Sequence, residues 1–298
     1  MATVAMSVQE LAGLAPEHDF FVGIDSDGCV FDSMEIKHKE CFCPQIIKYW
    51  ELQPVSKYAR EAVEFVNLYS KWRGVNRWPA LILALNLLRE RPEVIKRNCR
   101  VPEASKLRDF IASGNPLSNH GLKSYMADHP HAELEHALRW SNAVNDAVND
   151  IVHNLPPFPY VRESLELVQK KADAVVVSAT PTEALLKEWD EQKINKYVRA
   201  IAGQELGTKK QHLKLAAGNK YAANRVLMIG DAPGDLEAAR GNNALFFPIN
   251  PGQEEESWER FYKEGFERFL AGEFAGAYET ALIADFDKLL PSTPPWKS

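Results

Sequence analysis

Downstream of a proline cluster at Pro156, Pro157 and Pro159, short apolar runs alternate with helical stretches. This alternation constrains the fold more than any other feature of the chain. A helix over 161–171 leads into residues 174–180 (AVVVSAT), and one over 182–192 leads into 198–202. A third helix begins near Lys210 and leads into 225–231 (RVLMIGD), and a fourth over 235–240 precedes 244–249 (ALFFPI). Strands that alternate with helices imply a parallel sheet with right-handed crossovers. Runs such as VVV lack polar alternation, which suits strands buried on both faces.

Upstream of the prolines the texture differs. Residues 20–25 (FFVGID) read as one buried strand ending in an acidic loop. No convincing strand follows between Met34 and Asn154. Apolar residues recur at helical spacing over 60–72, over 79–89, where Pro79 suits a first helical turn, and over 134–155. The economical arrangement is an α/β fold, a doubly wound, Rossmann-like parallel sheet built from both ends of the chain, with an inserted all-helical cap. The expected division is 1–33 with 160–298 as the discontinuous α/β core, and 34–159 as the cap. The amphipathic helical tail over 254–290 is expected to pack on the core.

The chain's 298 residues and 45% hydrophobic content allow a large core and favour two domains. With 26% charged residues and a net charge of -6, neither a disordered chain nor a basic nucleic-acid binder is indicated. The four cysteines, Cys29, Cys41, Cys43 and Cys99, match neither a zinc ribbon nor a disulfide framework, so a reducing cytoplasm is expected. The first twenty residues lack the pattern of a signal peptide. The longest apolar stretch, 79–88, is too short for a bilayer and contains Asn86, so no membrane span is expected. Oligomeric state is not legible.

Ligands of doubly wound sheets bind beyond the carboxyl ends of the strands. There the sequence places Asp25-Ser26-Asp27-Gly28, Ser178, and Gly230-Asp231 with Asp235 four residues on, while Lys209-Lys210 starts a helix. Three crowded carboxylates repel unless a cation intervenes. An all-oxygen donor set without convergent His or Cys suits a hard cation, and Mg²⁺ best. Phosphoryl transfer needs mainly positioning and charge neutralisation, which a divalent ion, a lysine and a hydroxyl supply.

The stretch DSDGCVFDS (25–33) resembles the first motif of the haloacid dehalogenase superfamily, phosphatase branch. Ser178 resembles the second motif, Lys209 in GTKKQHL the third, and GDAPGD (230–235) the fourth. The resemblance implies Asp25 as nucleophile and Mg²⁺ ligand, and Asp27 as general acid/base whose carbonyl oxygen also binds the metal. It implies Ser178 and the Ala179 amide on the phosphoryl group, and Lys209 balancing charge there. Asp231 would be a direct metal ligand, and Asp235 would act through water or by orienting the lysine. Lys210 replaces Lys209 if the helix starts one residue later. Cys29 stands where many relatives carry threonine. An aspartate two after the nucleophile separates this chain from relatives that cleave carbon–halogen or carbon–phosphorus bonds. The implied reaction is hydrolysis of a small phosphorylated metabolite through an aspartyl-phosphate. A phosphosugar mutase and a phospho-accepting regulatory domain are the alternatives.

Blander readings stand beside these. Ser178 could be a helix N-cap before Glu183. His129, His131 and His136 invite a metal site, but their spacing is not a standard ligand pattern. Cys41 and Cys43 read as ordinary cap residues. Trp72, Arg73, Arg77 and Trp78 could line a substrate-gripping cap face, or form a cap core with arginines at its rim.

Overall fold

The computed structural model of the chain describes residues 6–297. Contacts divide it into two units: Met1–Met34 with Asn154–Leu290, and Glu35–His153 with Pro291–Ser298.

The first unit is built on five parallel strands, β1 (Phe20–Ile24), β2 (Ala172–Val177), β3 (Ala200–Ala202), β4 (Val226–Gly230) and β5 (Leu245–Pro248), in the order β3-β2-β1-β4-β5. The first strand in sequence thus lies at the centre. Val22 pairs with Ala174 on one side and with Leu227 on the other. Side chains along each strand alternate between two apolar clusters. Val22, Ile24, Val176 and Leu227 face one way, and Phe21, Val175, Val177 and Met228 the other. Both clusters are buried, which explains why these strands show no polar alternation. The strand order reverses direction at β1, so the crevice beyond its carboxyl end is the switch point of the sheet.

The tail of this unit positions the loop that follows β1. Trp258, from the helix Glu254–Arg260, is fully buried and donates its indole N–H to the Cys29 carbonyl at 2.7 Å. The helix Ala277–Leu289 covers β5: Phe286 meets Phe246 edge-on at 5.8 Å, and Glu279 accepts the Phe246 N–H at 2.8 Å.

The second unit is helical, with no strand among its described residues. The helices Ser56–Asn67, Arg77–Arg89, Ser105–Ala112 and Ala132–Ile151 pack around Trp78, Trp140, Leu85, Leu107 and Phe110. A π-helical segment, Lys37–Phe42, opens the unit. Two helices are shorter than their periodicity suggests. The one expected to reach Trp72 stops at Asn67, where Arg73 folds back to donate to the Leu68 carbonyl at 3.0 Å. The one expected to reach Leu155 stops at Ile151, which is exposed. Arg73 and Trp78 are both buried inside this unit, so they do not form an open gripping face.

The chain end differs from the sequence-based division, which gave everything from 160 onward to the core. Pro291–Ser298 groups with the helical unit instead. The Lys71 N–H donates to the Pro291 carbonyl at 3.3 Å, and Trp296 meets Phe65 edge-on at 5.7 Å. The Arg91 guanidinium lies 4.5 Å from the Trp296 ring and 4.5 Å from the Tyr58 ring, a cation held between two aromatic faces. Nothing in the composition of PSTPPWKS signals this docking, because it depends on an arginine two hundred residues upstream. Trp296→Ala should lower the stability of the helical unit by about 1–3 kcal/mol, from lost apolar burial and the lost ring–cation contact. Urea denaturation followed by circular dichroism would measure this, and an unchanged midpoint would count against the docking.

Candidate active site

The acidic loop begins where β1 runs out of neighbours. The Asp25 N–H still donates to the Ile229 carbonyl at 2.9 Å, which carries the extended backbone one residue beyond the strand. Gly28 then turns the chain with φ +74°, a region that disfavours side chains. Asp25 is buried with 3% of its surface exposed. Asp27 is half-buried.

A lysine reaches this loop from the opposite side of the switch point. Lys209 is the first residue of the helix Lys209–Ala216, whose N-cap Thr208 forms a reciprocal capping box with Gln211. Its ammonium donates to Asp25 Oδ2 at 2.8 Å and to Asp235 Oδ1 at 2.7 Å. Lys210 is exposed and points elsewhere, lying against Gly241. The structure therefore places Lys209, not Lys210, among the acids.

Asp231 and Asp235 come from the turn between β4 and the helix Pro233–Arg240. Asp235 is fully buried, and its second oxygen accepts the Ala232 N–H at 3.1 Å. Gly230 makes this position accessible, because a Cβ there would overlap the Asp235 carboxyl group. Ligand oxygens of Asp25, Asp231 and Asp235 all lie within 4.8 Å of one another, and all three residues are buried.

Three carboxylates around one ammonium leave excess negative charge in a dry place. Burial, reinforced by Asp231, raises the Asp25 carboxyl to about 6 despite the adjacent ammonium. Burial raises Asp235 to about 6 as well. The carboxylates overcome the burial penalty on Lys209 and hold its ammonium well above the usual lysine range. Among the described residues, none donates a hydrogen bond to Asp25 Oδ1. A buried, unbonded carboxylate oxygen beside two further carboxylates is suited to a hard divalent cation. Asp235 is less available, since both its oxygens are already engaged.

The Asp27 side chain stands apart from this cluster. Its Oδ1 accepts from the Ser33 hydroxyl at 2.5 Å and its Oδ2 from the Thr180 hydroxyl at 2.7 Å. Both donors lie within the motif stretches 25–33 and 174–180, but nothing in the sequence marks either as a partner of Asp27. Thr180 reaches the loop because β2 ends at Val177, leaving Ser178, Ala179 and Thr180 to cross the end of the sheet. Ser178 is buried; its amide donates to the Ala202 carbonyl at 3.0 Å, and its hydroxyl accepts the Thr180 N–H at 3.2 Å. It is not the N-cap of the next helix, which is Pro181. Ala179 follows and is exposed. Between the two aspartates, Ser26 accepts the Trp189 indole N–H at 3.0 Å, which fixes the loop to the helix Thr182–Glu191.

The other candidates fall into local roles. His129 stacks on Tyr125 at 4.3 Å, His131 accepts the Glu133 N–H at 3.1 Å, and His136 donates to the Tyr49 carbonyl at 2.7 Å. These three do not converge. Cys41 and Cys43 are buried free thiols. Cys29 is buried too, and burial together with the nearby carboxylates pushes its thiol far up, so it stays protonated.

Residues 106–248 match the model of the family described as haloacid dehalogenase-like hydrolase. The matched stretch contains Ser178, Lys209, Asp231 and Asp235 and starts downstream of Asp25 and Asp27. No curated protein matches the sequence. Among solved structures, the chain is similar to a haloacid dehalogenase-like family hydrolase from Streptococcus pneumoniae, at 15% identity over 82% of this chain and 90% of that one, with TM-score 0.43. It is also similar to a predicted phosphoglycolate phosphatase from Haemophilus somnus, at 13% identity over 78% and 86%, TM-score 0.46. A hydrolase from Pseudomonas syringae shows 16% identity over 81% and 89%, TM-score 0.44.

The raised carboxyls predict a pH-dependent stability in divalent-free buffer. Between about pH 4 and 6 the unfolded chain releases protons that folded Asp25 and Asp235 retain, so stability should fall as pH rises through that window. Asp25→Asn should therefore raise the melting temperature at pH 7.5, by on the order of 2 kcal/mol in stability, and change it little at pH 4. Thermal melts of both proteins at the two pH values would check this; destabilisation at pH 7.5 would contradict the charge excess.

Proposed function

We propose that this chain, part of which matches the haloacid dehalogenase-like hydrolases, is a Mg²⁺-dependent phosphatase of that family acting on a small phosphorylated metabolite. The observation that carries this reading is the Lys209 ammonium bridging Asp25 and Asp235, with a second, separately held carboxyl, Asp27, on the same loop as Asp25. Asp25 and Asp231, with the Asp27 carbonyl oxygen, would hold the metal. When bound, Mg²⁺ offsets the carboxylate charge and neutralises charge on the phosphoryl oxygens.

The residues divide the work. Asp25 attacks phosphorus through a carboxylate oxygen; the P–O bond to the leaving group breaks and an aspartyl-phosphate forms. Lys209 holds Asp25 in place and lowers the repulsion between its carboxylate and the incoming dianion. Asp27 gives its proton to the departing ester oxygen. It then takes a proton from a water molecule, which attacks the phosphorus and releases inorganic phosphate and Asp25. Ser33 and Thr180 fix both Asp27 oxygens, and so the direction from which the proton is delivered. Ser178 and the Ala179 amide would bind the phosphoryl oxygens. The four cysteines are free thiols, which suits the reducing cytoplasm in which we place the protein.

Turnover of a chromogenic phosphate ester with Mg²⁺ tests the reading. Asp25→Asn should abolish it, and Asp27→Asn should lower kcat by about 10²–10⁴-fold. Thr180→Val should lower kcat by about tenfold while leaving KM nearly unchanged, since it alters proton delivery rather than binding. Chelation of divalent ions should stop turnover in the intact protein. Isomerisation of a phosphosugar without release of phosphate would replace hydrolysis by the mutase reaction, and stable phosphorylation of Asp25 without turnover would replace it by a phospho-accepting role.

A further inference from the structure

Within the helical unit, Arg77 is a cation with no counter-ion among the described residues. Its Nη1 donates to Ser141 Oγ at 2.7 Å, to Asn145 Oδ1 at 2.7 Å and to the Ser141 carbonyl at 3.2 Å. All three acceptors are neutral. Burial alone shifts the guanidinium down to about 10, with no carboxylate opposing the shift. Among the described residues its Nε and Nη2 find no hydrogen-bond partner, and neither atom is among the fully buried ones. The group lies 5.2 Å over the Phe42 ring, which comes from the π-helical segment Lys37–Phe42. Such segments often mark functional positions.

A structural tie between two helices does not need this arrangement. The Ser141 and Asn145 oxygens would accept equally from a neutral amide, which would carry no burial cost of a charge. The positive charge and the unused edge of the fork gain something only if an anion completes the set. The surroundings also lean toward donors. Trp78 and Trp140, whose rings meet at 5.7 Å in the same aromatic cluster, are fully buried, and neither indole N–H has an acceptor.

We propose that Arg77, seated on Phe42 and braced by Ser141 and Asn145, is a binding site for a small oxyanion, a carboxylate or phosphate group that takes the free Nε–Nη2 edge in bidentate fashion. This geometry matches the planar fork of two parallel N–H···O bonds that arginine makes with such groups. The ligand is a separate small anion bound within the helical unit.

The experiment has a binding arm independent of catalysis. In the full-length chain, the Arg77 ¹⁵Nε–¹H resonance, assigned by its loss in Arg77→Lys, is followed during titration with acetate and with inorganic phosphate. A saturable shift supports the site. Arg77→Gln should weaken binding by about tenfold or more, as expected for loss of a charge-assisted pair. A shift that is absent, or that grows linearly without saturation, overturns the proposal and leaves Arg77 as a tie between helices. If Arg77→Gln fails to fold, the wild-type titration still decides.

Discussion

One ammonium group among three buried carboxylates is the constraint around which the carboxyl end of the sheet is organised. Lys209 joins an aspartate from the end of β1 to one from the turn after β4, and so ties the two strands that flank the switch point. The pairing is incomplete by design of charge: a single cation cannot compensate three acids, and two of those acids are driven toward neutrality by their surroundings. A site of this kind is held together by geometry rather than by its own electrostatics. The sheet register, the capping box at Thr208 and the bare backbone at Gly230 supply that geometry.

The two aspartates of the first loop illustrate how environment separates chemically identical groups. Asp25 sits in the dry cluster against Lys209, while Asp27, two residues later, is half-buried and accepts from the Ser33 and Thr180 hydroxyls. The turn at Gly28 and the anchoring of Ser26 by Trp189 keep the pair from exchanging places. Identical side chains in such different surroundings differ in how readily they ionise, the separation that the proposed nucleophile and proton carrier would require.

Much of this was legible in the sequence. The β-branched runs marked the buried strands, because burial on both faces leaves no room for polar alternation. The acids, the serine and the lysine marked the strand ends, because they stood where apolar runs stopped. What was not legible depended on contacts between distant segments. Thr180 and Ser33 are common polar residues whose partner is chosen only by the folded loop. Trp72, Arg73, Arg77 and Trp78 fit either a substrate-facing patch or a cap core with arginines at its rim, and only the fold shows Arg73 and Trp78 buried, since periodicity alone does not reveal where a helix ends. Gly230 carries no sign in the sequence that the Asp235 carboxyl group occupies the space of a side chain there. The docking of the last eight residues onto Arg91 had no local signature at all.

The position of β1 has a further consequence, for the order in which the molecule can assemble. Val22 must find Ala174 and Leu227, partners separated from it by most of the chain, before the central strand of the sheet exists. Pairings of such sequence separation are slow to form, whereas helices packed on near neighbours in sequence form quickly. The helical segment between β1 and β2 can therefore gain structure while the sheet is still open, and its early compaction would shorten the loop that β1 and β2 must close. Insertion of a compact domain at this point adds many residues to the chain but comparatively little to the search.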